Sequence, residues 1–210
     1  MALSAEPAWR TERRTRILAA AAELFAQRAY DAVQMEDIAR RAGIGKPTLY
    51  RYFSSKDELF LTILDEALTH LQRQLSMALE APLTPAESLA HMVDALVDVL
   101  SGQIAALRLL TGEHSQLAER WRGVFRSRRR PVLESLRTVL VRGIENREFR
   151  PLDLDLVPAM IIGMIRGGLM AVGEAARERL PQEALRDRLK RSARDMIATL
   201  VLRSPRSEQA

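Results

Sequence analysis

The chain has 210 residues, 47% of them apolar and 5% aromatic, with a net charge of +5 and no cysteine. That size and apolar content allow a sizeable, mainly aliphatic core, either in one large domain or in a small domain fused to a medium one, while the missing cysteines exclude disulfides, thiolate metal sites and cysteine nucleophiles. Nine prolines and ten glycines are too few for a loop-rich or all-β chain, and the abundance of Ala, Leu and Arg favours helix, so the predicted fold class is all-α.

Taken in chain order, residues 1–10 lack periodicity and are expected to form a mobile arm. A first helix runs from about Glu12 to Gln27, burying Ile17, Ala21, Leu24 and Phe25. Two short helices follow, over about Met35–Ala42 and Lys46–Tyr52, with Pro47 in the first turn of the second, where its missing N–H is harmless. The next helix starts at Ser54 or Ser55, carries Asp57 and Glu58 in its first turn, and runs to about Ala81. Thr84-Pro85-Ala86-Glu87 has the capping-box form and opens a helix ending near Gly102. A short helix over 103–110 and a long stretch over about 115–145 come next; Pro131, after three arginines, predicts a kink or break there. Helices over about Leu154–Ala176 and from Pro181 to about Arg203 complete the chain, with a frayed tail at 204–210.

Within this series residues 38–53, IARRAGIGKPTLYRYF, are the most informative. Ile38, Ala39 and Ala42 give the first short helix an apolar edge, Gly43 permits a turn at positive φ, and small Ala39 lets the helices cross closely. Ile44 and Leu49, with Tyr52 or Phe53, face the same small core. Left facing outward are Lys46, Thr48, Tyr50, Arg51 and, unless it belongs to the core, Tyr52, all donors suited to phosphate oxygens and base edges. This pattern predicts a DNA-binding helix-turn-helix. The net positive charge suits such a polyanion. Only Lys46, Lys56 and Lys190 among 32 basic residues are lysine, and two of these fall in this region; the arginine richness elsewhere is read as genomic base composition.

With its flanks, ILAAAAELF at 17–25 and SKDELF at 55–60, the stretch 13–60 closely resembles the amino-terminal DNA-binding domain of the TetR (tetracycline-repressor-like) family of transcriptional regulators. The resemblance implies a helix-turn-helix domain over 11–53, with a family-type domain extending to about 71, and a helical ligand-binding and dimerisation domain over 72–210. It implies that Lys46 meets phosphate at the start of the recognition helix and that Thr48 and Arg51 contact bases. Tyr50 and Tyr52 would contact the backbone, and Lys56 would clamp another phosphate; Gln34, Gly45 and Pro47 complete the expected DNA-binding set. The chain departs from the family pattern at three positions. Gln34 replaces a usual Thr or Ser cap, Ala29 a usual glycine, and Gly45 a common serine. Arg10, Arg13 and Arg14 either enter the minor groove as an arm or simply begin a solvated helix, the latter being preferred.

A reader of two half-sites needs a self-complementary dimer face. The last two helices are the candidates, through Gly163, Gly167, Leu189, Met196 and Leu200, because glycines weaken a helix by about 1 kcal/mol each and close helix contact would compensate. Met92, Leu107, Leu110, Trp121, Phe125, Met160 and Met164 are candidates for a ligand cavity, with ordinary core packing as the alternative for each. The resemblance implies a repressor that a small-molecule effector releases from a palindromic operator by shifting the fourth helix. No cofactor or metal is expected: His70, His91 and His114 are too scattered for a metal site. An enzyme would need a nucleophile, metal cluster, paired acids or phosphate loop that the chain lacks, and an architectural nucleoid protein would bind without sequence preference. Glu23 interrupts the run after Arg13-Arg14, and the apolar stretch 156–172 holds Arg166, so neither a signal peptide nor a membrane span is expected, and the protein should be soluble and cytoplasmic.

Overall fold

The computed structural model describes residues 7–102, 115–171 and 181–202, without the side chains of residues 115–118, 121, 122, 124, 125 and 182. Among the described residues the regular elements are helices: α1 (Ala8–Gln27), a 3-10 turn (Tyr30–Ala32), α2 (Met35–Arg41), α3 (Lys46–Tyr52), α4 (Lys56–Glu80), α5 (Pro85–Gly102), α6 (Ser115–Glu145), α7 (Val157–Ala171) and α8 (Gln182–Val201). An isolated antiparallel bridge joins Phe149 to Leu202. The chain divides into two compact units. The first holds the residues up to Glu66 together with α6 as far as Val124; the second holds the rest of α4, α5, the remainder of α6, α7 and α8.

In the first unit, Ile17, Ala21, Leu24 and Phe25 of α1 are buried with Ile38 and Ala39 of α2, Leu49 of α3, and Leu59 and Phe60 of α4. The expected aliphatic core is here partly aromatic. Phe25 stacks on Tyr30 at 5.7 Å between ring centroids, and Phe60 meets both rings edge-on at 4.9 and 5.0 Å. Residues 8–10 of the expected arm instead belong to α1, which begins at Ala8, and residues 1–6 lie outside the described residues. The helix ends follow the sequence signals. The Ser55 hydroxyl accepts the Glu58 N–H at 3.1 Å, and the Glu58 carboxylate accepts the N–H and hydroxyl of Ser54 at 2.8 and 2.6 Å. These bonds, the hydroxyl one foremost, hold the Glu58 carboxyl below its ordinary range.

In the second unit α5 is apolar almost all round: Leu89, Met92, Val93, Leu96, Val97 and Leu100 are buried, which makes it the central helix. It packs with Leu71 and Leu75 of α4, Leu136 and Leu140 of α6, Ile161 and Ile165 of α7 and Ile197 of α8. Its capping box forms as expected, the Glu87 carboxylate accepting the N–H and hydroxyl of Thr84 at 2.9 and 3.0 Å while the Thr84 hydroxyl accepts the Glu87 N–H at 3.2 Å. Asp94 and Asp98 on its outer face pair with α8, through Arg194 at 3.3 Å and Lys190 at 2.7 Å.

Pro131 does not break α6, which stays helical through Glu145. One absent donor removes a single backbone bond, and buried Val132, Leu136, Val139 and Leu140 on the next turns hold the helix in place. The predicted helix over 103–110 and the tail at 204–210 lie outside the described residues, as does the predicted helix over 154–176 beyond Ala171. Among the described residues no helix is long and apolar enough to cross a membrane.

After α6 the chain doubles back on itself. Arg147 takes a left-handed φ of 62°, the N–H groups of Glu148 and Phe149 both donate to the Gly143 carbonyl at 2.9 Å, and Phe149 is buried against Gly143. A methyl group at Gly143 would overlap that ring. Gly143→Ala should therefore cost about 1–3 kcal/mol in denaturant unfolding despite the better helix propensity of alanine. Gly123→Ala, where the new methyl meets nothing within 4 Å, should instead be neutral or stabilising.

Candidate nucleic-acid interface

The turn that orients α3 is built from backbone. Gly43 adopts a φ of +65°, its N–H donates to the Arg40 carbonyl at 3.2 Å, and the Ile44 N–H reaches back to Ala39 at 3.0 Å. This is the Schellman closure of α2, which reverses the chain at a residue where any Cβ would be strained. Leu49 and Phe53 then plug α3 into the core, fully buried or nearly so, while Ile44 is half-buried beneath the turn. The opposite face is turned outward: Lys46, Pro47, Tyr50 and Arg51 are exposed, and Thr48 and Tyr52 are half-buried. Gly45 is the residue before α3 at an ordinary φ of −73°, so it supplies no side chain and uses no glycine conformation.

Gln34 precedes α2 and makes no side-chain cap; its amide donates instead to the Asp31 carbonyl at 3.4 Å. Ala29 is accommodated at φ −58° because the 3-10 turn that follows it makes the bend.

Two lysines expected to bind phosphate are held by the protein. Lys46 pairs with Glu36 in the first turn of α2, and its ammonium lies 5.9 Å from the Tyr50 ring centroid. That bond holds the Glu36 carboxyl below its ordinary range and raises the Lys46 ammonium. Lys56 is positioned differently from the expected phosphate clamp. Its ammonium donates to the carbonyls of Tyr30 and Val33 at 2.9 and 3.0 Å and sits 4.3 Å from the Tyr30 ring centroid. Two of the three donors of an ammonium are thereby spent on the connection between α1 and α2. The Tyr30 hydroxyl donates in turn to Asp57, and burial, then this bond, push it well above its ordinary range. Sequence reasoning missed this cluster; a lysine next to an acid at a helix start reads equally as a dipole partner or an anion ligand.

Residues 17–63 match the bacterial regulatory proteins of the tetR family, and residues 82–168 match the tetracyclin repressor-like C-terminal domain. The transcriptional repressor KstR2 of Mycobacterium tuberculosis is 32% identical over 147 residues, 69% of this chain and 74% of that protein. This chain belongs to the TetR family. A second relative, the transcriptional activator FasR of Mycolicibacterium smegmatis, is 39% identical over 101 residues, 48% of this chain and 46% of that protein. In fold the chain is similar to the regulator FadR of Bacillus subtilis, solved in complex with stearoyl-CoA, with a TM-score of 0.63 at 22% identity over 85% of this chain and 96% of that one.

The TetR-type body holds the remaining candidates unevenly. Met92 is fully buried in the core, and Met164 lines a small apolar cavity of about 70 Å³ with Val97, Leu169, Leu189 and Met196. Met160 does not line that cavity; it is 57% exposed and shares the outer stripe of α7 with Gly163 and Gly167. Leu107 and Leu110, and the side chains of Trp121 and Phe125, lie outside the described residues. Of the dimer candidates, Gly163, Gly167, Met196 and Leu200 are exposed and Leu189 is half-buried. Among the described residues, nothing outside the local helix backbone lies within 4 Å of a Cβ placed at Gly163, Gly167 or Gly168.

Two outcomes follow for DNA titrations at varied salt. Lys56→Gln should lower thermal stability, on the order of 1–2 kcal/mol, and weaken binding without flattening the dependence of log affinity on log salt; a phosphate ligand would flatten it by about 0.9. Glu36→Gln should free Lys46 and raise affinity up to about fivefold. Because the Glu36 carboxyl titrates below its ordinary range, its hold on Lys46 is fully present above that range and lost as pH falls through the lowered value. The gain from the variant should therefore vanish in acid.

Proposed function

We propose that this protein is a dimeric transcriptional regulator that reads a palindromic operator through α3 of each subunit and is released by an apolar small molecule, acting as a repressor. The observation that carries the reading is the Schellman turn at Gly43, which buries Leu49 and leaves Lys46, Thr48, Tyr50 and Arg51 on one outward face. Arg51 matches the donor geometry of guanine O6 and N7, and Thr48 lies one turn before it on the same helix. Lys46 would exchange Glu36 for a phosphate at the N-terminus of α3, where the helix dipole favours an anion. Such a reader acts where the chromosome is, in the cytoplasm.

The outer stripe of α7 and α8 supports a second copy as the partner. Met160, Met170, Met196 and Leu200 are each at least 39% exposed, beside glycines that admit a close helix. An apolar effector suits the methionine-lined interior of the second unit. The cavities of about 70 and 140 Å³ there are each far below the ~300 Å³ of an ordinary ligand site, so binding would have to spread the helices around one of them. A ligand that favours the spread state by about 1–3 kcal/mol weakens DNA binding about 5–150-fold, with α4 as the element that carries the shift.

The test is selection of duplexes from a randomised pool by the full-length protein, followed by binding of Gly163→Glu to the selected sequence. Wild-type protein should return an inverted repeat and sediment as a dimer. The variant, whose new Cβ has no described neighbour within 4 Å outside its own helix, should stay helical, sediment as a monomer and lose about a hundredfold in affinity through lost bivalency. A monomeric wild type, or a pool that shows no enrichment, refutes the proposal.

A further inference from the structure

α1 overhangs the core on which it packs. Its buried stripe of Ile17, Leu18, Ala21 and Leu24 continues toward the N-terminus at helical spacing through Arg14, Arg13, Arg10 and Trp9. The stripe therefore changes from aliphatic to cationic and aromatic where the core ends. Arg14 marks the level of that change. Its guanidinium lies 5.6 Å from the ring centroid of Phe53, the residue that caps α3, and donates to Glu66 at 2.6 Å. About one turn further out Trp9 is 54% exposed, with the Arg13 guanidinium 5.6 Å from its ring centroid. The match to the family begins only at residue 17, so this segment lies outside it.

We propose that Trp9 and Arg13 form an additional DNA contact, lying against the sugar-phosphate backbone that flanks the half-site read by α3. The inference rests on the DNA-binding reading above. A guanidinium matches two phosphate oxygens at once, and an indole offers a flat apolar face for the sugar and an N–H donor for the next phosphate. The stack holds both side chains in place before DNA arrives, which reduces the entropy lost on contact. The segment is helical, and a helix of about 10 Å diameter does not enter a minor groove about 6 Å wide. The contact is therefore with backbone, and it adds affinity over a longer stretch of duplex without adding base specificity.

The experiment uses full-length protein and the selected duplex in two lengths, one with long flanks and one trimmed to the inverted repeat. On the long duplex Arg13→Gln should lose about tenfold in affinity and about 0.9 per subunit in salt slope, while Arg13→Lys keeps the slope. On the trimmed duplex Arg13→Gln and wild type should bind alike. The long duplex should also shield tryptophan emission from a soluble quencher, and Trp9→Phe should abolish that shielding. Wild-type affinity and slope for Arg13→Gln on the long duplex overturn the proposal while leaving the reading by α3 intact. Failure of wild type to bind any duplex overturns both.

Discussion

Gly43 is the point on which the reading head depends. With its φ at +65° the last carbonyls of α2 are satisfied by Gly43 and Ile44 themselves, and α3 starts in a direction that lets Leu49 reach the core. A β-carbon there would strain that conformation. Loss of the turn would leave α3, seven residues long, far too short to be helical by itself. The recognition surface is thus a consequence of burial on the opposite face: Leu49 and Phe53 fix the rotation of the helix, and that rotation places Lys46, Tyr50 and Arg51 in water.

The second unit solves a different problem with the same means. A central helix apolar on nearly every side needs neighbours all round, and α4, α6, α7 and α8 supply them. What α7 and α8 have left over is an outer stripe of methionine, leucine and glycine. Isolated exposed apolar residues are ordinary, but a continuous stripe on two helices, with glycines facing open space, is an unfinished layer. Across the other side of α8, Asp94 and Asp98 of α5 meet Arg194 and Lys190. These partly exposed pairs add little stability; buried Ile197 and Val201 carry the packing of α8 in the core.

Much of this was legible in the sequence because the signals were local. Gly43 announced its turn, Pro47 its first helical turn, and Thr84 with Glu87 its capping box, each needing only a few neighbouring residues. What escaped depended on pairs distant in the chain. Lys56 finds the carbonyls of Tyr30 and Val33 more than twenty residues away, and no periodicity reveals that a cation will face backbone oxygens and an aromatic ring. The unbroken helix at Pro131 has a related reason. A proline's local cost is visible in sequence, but the buried leucines and valines that offset it belong to tertiary packing. Met160 shows the limit of reading residue type alone: methionine suits a cavity or an interface equally, and the helical phase shared with Gly163 and Gly167 puts this one on the exposed outer stripe of α7.

The electrostatics of the head resolve an apparent conflict between its charge and its task. A net charge of +5 suggests a surface of available cations, yet Arg14 is paired with Glu66, Arg41 with Glu23, Arg40 with Asp37 and Lys46 with Glu36. These pairs are exposed, and exposed pairs are held weakly because water and salt compete for both partners. A phosphate backbone carries a far denser array of negative charge than one carboxylate and returns counterion entropy when it is bound. On the proposed reading, exchange of Glu36 for phosphate would come at low cost to the fold, whereas exchange at Lys56 would not. Withdrawing that ammonium would take its bond from the Val33 carbonyl, leave the Tyr30 carbonyl with only the Val33 N–H, and uncover the Tyr30 ring, loosening the connection that sets α2 and, through Gly43, α3. If Lys46 meets phosphate as proposed, the two lysines of the head divide the work, one available to DNA and the other committed to holding the connection between α1 and α2.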